Sequence, residues 1–193
     1  MRTTKPRIEP VQDGEWTEEQ EQLLKPFARE GGLIPNVYRT LARHPSAMRA
    51  FIAWGGHILR GGNTLPERER ELLILRTGWL CRAGYEWVAH IRVAKRVGVT
   101  DEEIDRVRAG SSVPGWAAAD KTLIQVAEDM YADHFVSDSV WAVLRSHFRE
   151  EQCMDAVYTV TQYTQVAMLL NSFGVQLDAS WSLSDSDRKQ MRL

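Results

Sequence analysis

The sequence predicts an all-α protein, and three observations carry that prediction. Apolar residues recur at three- and four-residue spacing along nearly the whole chain, no segment alternates as a half-buried strand would, and the punctuation is helical. Thr, Ser or Pro stands before the apolar stripes and Gly after them. Residues 1–16 (MRTTKPRIEPVQDGEW) carry two prolines and no period, which predicts an extended arm. Thr17 with Gln20 matches a capping box, and Leu23, Leu24 and Phe27 supply the stripe of a first helix that Gly31 and Gly32 stop. A short helix follows Pro35 through Val37, Tyr38 and Leu41. Pro45 opens the next, with Met48, Phe51, Ile52, Ile58 and Leu59 on its apolar side as far as Gly61 and Gly62. The helix after Pro66 is apolar nearly all round from Leu72 to Leu75 and is therefore expected at the centre of the fold.

Ala83 and Gly84 break the chain, and the helix that follows runs to Gly98, a C′ glycine. Thr100 with Glu103 is a second capping box, opening a short helix through Ile104 and Val107, and 110–115 is a loop. Two more helices are expected over about 116–134 and 137–148, with Ser137 as N-cap. The last long segment, about 151–173, is rich in β-branched residues. Its apolar positions 156, 160, 163, 167 and 170 nevertheless keep a helical period over too great a length for a strand. From Ala179 the chain is polar apart from Trp181 and Leu183. The expected organisation is an extended arm (1–16), one helical domain (17–178) and a polar tail (179–193).

Composition narrows the function. A length of 193 residues suffices for one domain with a substantial core. The 24 Lys and Arg against 26 Asp and Glu leave a net charge of -2, so nothing favours nucleic acid or an acidic membrane surface as partner. Acidic and basic residues alternate around Arg68 and Arg70 as on a solvated helix face. Two cysteines, Cys81 and Cys153, are too few for a disulfide framework. The N-terminus is polar and no apolar run approaches the length of a membrane span, so a cytoplasmic protein is expected.

The chemistry concentrates between Glu71 and His90, ELLILRTGWLCRAGYEWVAH. On a helix starting near Gly84, Glu86 and His90 are i and i+4 and project from one face, continued by Val93 and Val97 and flanked by Trp87, Ile91 and Ala94. Arg92, Lys95 and Arg96 point the other way. Glu71 shares its own face with Ile74, Leu75 and Gly78. An ionisable group on an apolar face costs several kcal/mol unless it is paired or changes protonation, which makes these residues candidate acids and bases. The plainer alternatives are an exposed i,i+4 pair for Glu86 and His90 and an ion pair of Glu71 with Arg76 or Arg82. His57 and Cys153 read as core residues, and Cys81 as a buried cysteine or a nucleophile activated by the following helix N-terminus. Gln162, Tyr163, Gln165 and Asn171 read as hydrogen bonds between packed helices, with pocket lining the alternative for some. No HxxxH or HxH spacing supports a metal site, and no cofactor is expected.

The run LPERERELLILRTGWL from Leu65, the segment YEWVAH (Tyr85–His90) and the continuation AKRVGVTDEEI (Ala94–Ile104) resemble the carboxymuconolactone decarboxylase family, which includes the alkylhydroperoxidase D proteins. The resemblance spans at least 45–110 and is to a YEWxxH subgroup. It implies a compact multi-helix fold and assembly into homo-oligomers, as dimers, trimers or hexamers, with the active site between helices near His90. The peroxidase branch places a CxxC pair where this chain has Ala83 and Glu86, so disulfide-forming peroxide chemistry lacks both its thiols here. What the resemblance then implies is a cofactor-independent lyase or isomerase acting on a small carboxylated, lactone-like or enolisable substrate. His90 and Glu86 would be its proton carriers, Glu71 a relay or supporting partner reached across the break between the helices, and His57, Tyr85 and Cys81 would line the same cavity. A non-catalytic helical oligomer that binds a small acid, and a thiol-dependent oxidoreductase using Cys81, are the alternatives.

Overall fold

The computed structural model describes residues 1–193, the side chain of Glu30 excepted. Its α-helices are α1 (Glu18–Leu24), α2 (Asn36–Leu41), α3 (Pro45–Leu59), α4 (Glu67–Leu80) and α5 (Gly84–Arg96), then α6 (Asp101–Ala109), α7 (Ala118–Asp133), α8 (Asp138–His147), α9 (Glu150–Phe173) and α10 (Asp185–Gln190). No strand occurs among the described residues.

Helix α4 is the axis. Every residue from Arg70 to Gly78 is buried, and its four consecutive apolar side chains are divided among three cores. Leu72 and Leu75 enter a core with α5, α6 and the end of α9; Leu73 enters another with α7, α8 and the start of α9; Ile74 meets Ile58 and Tyr163. An all-round apolar sequence is what a helix enclosed on every side needs, and each such side chain contributes about 1.5–3 kcal/mol on burial. A separate core of Val11, Leu24, Ala42 and Met48 binds the arm to α1, α2 and α3.

The helix ends follow local chemistry. Thr17 with Gln20, and Thr100 with Glu103, form reciprocal capping boxes. Gly174, at φ 69°, closes α9 in the left-handed conformation that glycine adopts without strain. Ser137 occupies the N-cap position of α8 but does not cap it: its hydroxyl donates to Asp129 Oδ2 at 2.7 Å, fastening α8 to α7. The arm runs beside the end of α9, where the N–H groups of Arg7 and Ile8 both donate to the Phe173 carbonyl, at 2.8 and 3.1 Å.

Residues 179–193, polar in sequence, are folded into the molecule. Trp181, Leu183 and Met191 lie in the α4–α5–α6 core. Asp187 docks α10 from within, accepting from Trp87 Nε1 at 3.0 Å and from Arg108 Nε at 2.7 Å. Tail composition predicted solvent. The few apolar residues were enough to anchor the segment because Asp187, the buried one of its two acidic residues, found donors in Trp87 and Arg108.

Candidate functional site

A cavity of about 510 Å³ lies between α3, α5 and α9, closed on one side by α2 and the segment before it and on another by the Trp181 segment. Phe27, Tyr38, Phe51 and Ile52 form one wall, Val166 and Leu170 another. Its buried end carries Glu86, Gln162 and Tyr163, each no more than 4% exposed, with His90 beside them.

His90 is oriented from α4. Its Nδ1 is 2.8 Å from Oε2 of Glu71, a fully buried carboxylate, while its Nε2 has no protein partner among the described residues. The ring lies edge-on to Tyr163, with centroids 4.9 Å apart. A histidine bonded through one nitrogen to a carboxylate has its tautomer and rotation fixed and offers the other nitrogen to whatever enters the cavity. Glu71 pairs with neither arginine considered from sequence: Arg76 instead binds Glu128 at 2.7 Å.

Glu86 is different in kind. Neither of its oxygens has a hydrogen-bond partner, and burial alone raises its pKa well above the carboxylate range. The exposed Glu86–His90 pair considered from sequence does not form. Burial thus favours the protonated form of Glu86, which would be an O–H donor near an imidazole. Near it, Oε1 of Glu71 and Oε1 of Gln162 are likewise buried without partners among the described residues. Burial, followed by the Glu71 and Glu86 carboxyls, likewise holds the Tyr163 phenol in its protonated form.

The remaining candidates divide. Tyr85 lines the cavity, but its hydroxyl is engaged: it donates to Asp178 Oδ2 at 3.3 Å and accepts from the Val37 N–H at 3.4 Å, joining α2 to the C-terminal segment. His57 does not line the cavity. Gly55, Gly56 and Ile58 do, while the His57 imidazole bonds Asp155 Oδ1 at 2.8 Å. Cys81, the C-cap of α4, also lies outside the lining, and burial, then the Glu86 carboxyl, pushes its thiol up to about 11. The helix N-terminus at Gly84 therefore does not activate it. Cys153 is buried in the α7–α8–α9 core. Asn171 joins helices, donating to the Cys81 carbonyl at 3.1 Å, whereas Gln162 and Tyr163 line the cavity.

Two features lay outside the sequence reading. Arg92 and Arg96, assigned to the solvent side of α5, border the cavity, as do Arg29 and Arg60 from distant parts of the chain. Trp181, from the polar tail, is one of its walls.

The fold is alkylhydroperoxidase D-like. An uncharacterised peroxidase-related protein from Silicibacter sp. TM1040 superposes with a TM-score of 0.78 at 19% identity, covering 93% of this chain and 97% of that one. An alkylhydroperoxidase AhpD core protein from Ralstonia eutropha JMP134, peroxidase-related, gives 0.76 at 21% identity, covering 96% and 97%. The debrominase Bmp8, as a cysteine-to-alanine variant in complex with 2,3,4-tribromopyrrole, gives 0.76 at 13% identity, covering 98% of each chain. In sequence, residues 45–129, from the start of α3 into α7, match the model of the carboxymuconolactone decarboxylase family. No curated protein matches this sequence significantly. No helix is long and apolar enough to cross a membrane among the described residues.

Proposed function

We propose that the protein belongs to the carboxymuconolactone decarboxylase family and is a cofactor-independent acid–base enzyme. Its substrate is a small carboxylated, lactone-like or enolisable compound. The observation that carries this reading is the meeting, in one apolar cavity, of an imidazole oriented by a buried carboxylate and an unpartnered, neutral glutamic acid.

The chemistry follows from those two groups. For an isomerisation, His90 Nε2 takes a proton from the carbon next to a carbonyl. The electron pair moves onto the carbonyl oxygen, to which protonated Glu86 donates, and the imidazolium returns its proton to a different carbon. For a decarboxylation the C–CO2 bond breaks instead, the same electron pair passes into the unsaturated carbonyl system, and a protonated His90 delivers the proton to carbon. In both, the buried Glu71 carboxylate offsets the imidazolium charge, and Glu86 stabilises charge as it develops. Redox chemistry at Cys81 has the peroxidase-related and debrominase structures in its favour. Against it stand a thiol raised to about 11 and a Cys153 that belongs to a different core. A binding protein without catalysis is the other alternative.

The test is a panel of lactone carboxylates, β-keto acids and enolisable dicarboxylates incubated in deuterium oxide and followed by NMR. Wild type is expected to exchange an enolisable proton or release CO2, and His90→Ala to do so about 10²–10⁴-fold more slowly. Binding without exchange or product across the panel would favour the binding protein. Turnover that depends on Cys81 and not on His90 would favour the oxidoreductase.

A further inference from the structure

The cavity is polarised along its depth. Its buried end holds neutral or paired groups, Glu86, Gln162, Tyr163 and the His90–Glu71 pair. Its rim carries Arg29, Arg60, Arg92 and Arg96, all exposed. None of the four makes an ion pair among the described residues, although other arginines here do, including Arg39, Arg68, Arg76 and Arg108. Other arginines, Arg2, Arg7 and Arg82 among them, also make no ion pair among the described residues; what is particular to these four is that they gather around one opening in a chain of net charge -2.

Three of these arginines rest on aromatic rings without a carboxylate partner, whereas Arg39 and Arg108 have both a ring and a carboxylate. Arg29 and Arg92 lie over the Trp181 ring, at 5.1 and 5.7 Å from its centroid, and Arg60 lies over Phe27 at 4.7 Å. Arg96 is tied back by a hydrogen bond from its Nε to the Arg92 carbonyl at 3.2 Å. Stacking on an aromatic face fixes a guanidinium's position without neutralising its charge and leaves its N–H fork free. A carboxylate partner would fix the position and cancel the charge. Both aromatic platforms are themselves cavity walls, so the guanidiniums stand over the opening.

From this polarity we infer that the rim is a subsite for a retained carboxylate. The ligand is a flat, ring-sized apolar body with an anionic carboxylate at one end and a hydrogen-bond-accepting oxygen at the other. The carboxylate rests on the arginines, the ring lies between Phe51, Ile52 and Val166, and the oxygen meets Glu86. The part concerning Glu86 rests on the acid–base reading above; the anion subsite does not. The assignment constrains the chemistry further. A carboxylate held by guanidiniums is stabilised in its charged form, which opposes its departure as neutral CO2. The anchored carboxylate is therefore one the substrate keeps. Bonds are made and broken at the opposite, buried end, so a decarboxylation here requires a second carboxyl group, whereas an isomerisation requires only one.

The probes are benzoate and 1-cyclohexene-1-carboxylate against their primary amides, with binding measured by calorimetry at low and at high salt. The protein is wild type, Arg60→Gln/Arg92→Gln and His90→Ala. Expected is tighter binding of the acids than of the amides, an acid affinity that salt weakens, and a loss of about tenfold or more in the double arginine variant, with amide binding unchanged. An unliganded melting temperature equal to that of wild type shows that the arginine variant is folded. Acids and amides binding alike, acids binding equally to the arginine variant, or neither binding would each overturn the subsite. If acids bind through the arginines but His90→Ala changes no turnover with any compound, the subsite stands and the acid–base reading falls.

Discussion

Among the described residues there are two histidine–carboxylate pairs of equal length, and only one of them is a candidate for chemistry. His90 Nδ1 lies 2.8 Å from Glu71, and His57 Nε2 lies 2.8 Å from Asp155. Their surroundings differ in every respect that matters. The second oxygen of Asp155 accepts from both the N–H and the hydroxyl of Thr64, at 2.6 and 2.7 Å, so the carboxylate is satisfied. The His57 ring stacks on Trp54, with centroids 5.5 Å apart, and its side chain is 34% exposed. At the other pair Glu71 keeps one oxygen without a partner, and the free nitrogen of His90 belongs to a cavity that also holds an unpaired acid. A complete set of hydrogen bonds marks a fastening, here of α3 and the following loop to α9. An incomplete set, buried and facing a void, marks a place where something else supplies the missing partners.

The largest expected effect separates the pairs by rate. His90→Ala should lower turnover of any substrate found by about 10²–10⁴-fold. His57→Ala should leave turnover within roughly threefold, as expected of a change that touches no reacting group, while costing about 1–2 kcal/mol of stability through the orphaned Asp155 oxygen. Steady-state kinetics and thermal melts on the two variants check it. Equal losses of rate in both would mean that distance alone defines these pairs.

The second effect reverses the contrast. Asp155→Ala removes the acceptor of three hydrogen bonds and should cost about 2–4 kcal/mol, roughly 4–12 °C in a protein of this size. Burial raises the Asp155 pKa, but Thr64 and His57 outweigh it, so the folded value lies below the ordinary 3.8. A carboxyl with a depressed folded pKa contributes fully above its unfolded value and loses that contribution as pH falls through the folded one. Wild type should accordingly lose stability below about pH 4 more steeply than the variant, as acid-denaturation curves would record.

This contrast also separates what the sequence could reveal from what it could not. Glu71, Glu86 and His90 were legible because a titratable side chain on an apolar helical face is anomalous within a single helix. Their pairing was legible only in part: Glu71 was expected as a relay or supporting partner across the break, but beside a Glu86–His90 pair and not as the direct partner of the imidazole. Helical spacing put Glu86 with His90, whereas the imidazole reaches across the break to α4, and no single-helix period encodes an interhelical contact. His57 fails as a cavity residue for a related reason: its neighbours line the cavity, but successive side chains on a helix point about 100° apart. Arg92 and Arg96 were placed opposite the core, which is true of their exposure. An opening to solvent is nonetheless rimmed by solvent-side residues, and its other arginines come from segments remote in sequence. Several helix boundaries, by contrast, are set locally and were read closely, those of α6, α8 and α9 among them, whereas the first helix, expected to run to Gly31, ends as an α-helix at Leu24. Helix α10 was missed because Trp181, Leu183 and Met191 form no stripe long enough to stand out.

The third effect is a gain. Burial raises the Glu86 pKa above its ordinary 4.5, so the native state binds that proton more tightly than the unfolded chain does. Stability from such a group is complete below about pH 4.5 and falls as pH rises through the folded value, because unfolding releases the strained proton to water. Glu86→Gln retains the shape and cannot ionise. It should be about 1–2 kcal/mol more stable than wild type at pH 8, nearly equal to it at pH 4.5, and slower in any reaction that uses the Glu86 proton. Melting curves across that range, with kinetics at each pH, separate the two consequences. An equal difference at every pH would mean that Glu86 is not held neutral by burial.

The smallest expected effect is at Cys81, and its smallness is informative. The thiol stands at the end of α4 near the Glu86 carboxyl, in the same neighbourhood as the candidate acid, so position alone does not exclude it from chemistry. Its environment does. Desolvation and the carboxyl together push it to about 11, so at pH 7 only about one thiol in 10⁴ is ionised. The change Cys81→Ser removes the nucleophile and leaves a group of similar size, and should alter turnover by no more than about twofold. A thiol-reactive reagent should label Cys81 slowly in the native protein and quickly once it is unfolded. A loss of activity matching that of His90→Ala, together with rapid native labelling, would transfer the chemistry from the acid–base pair to the thiol. In that event Glu71 and His90 would be read as the groups that take its proton.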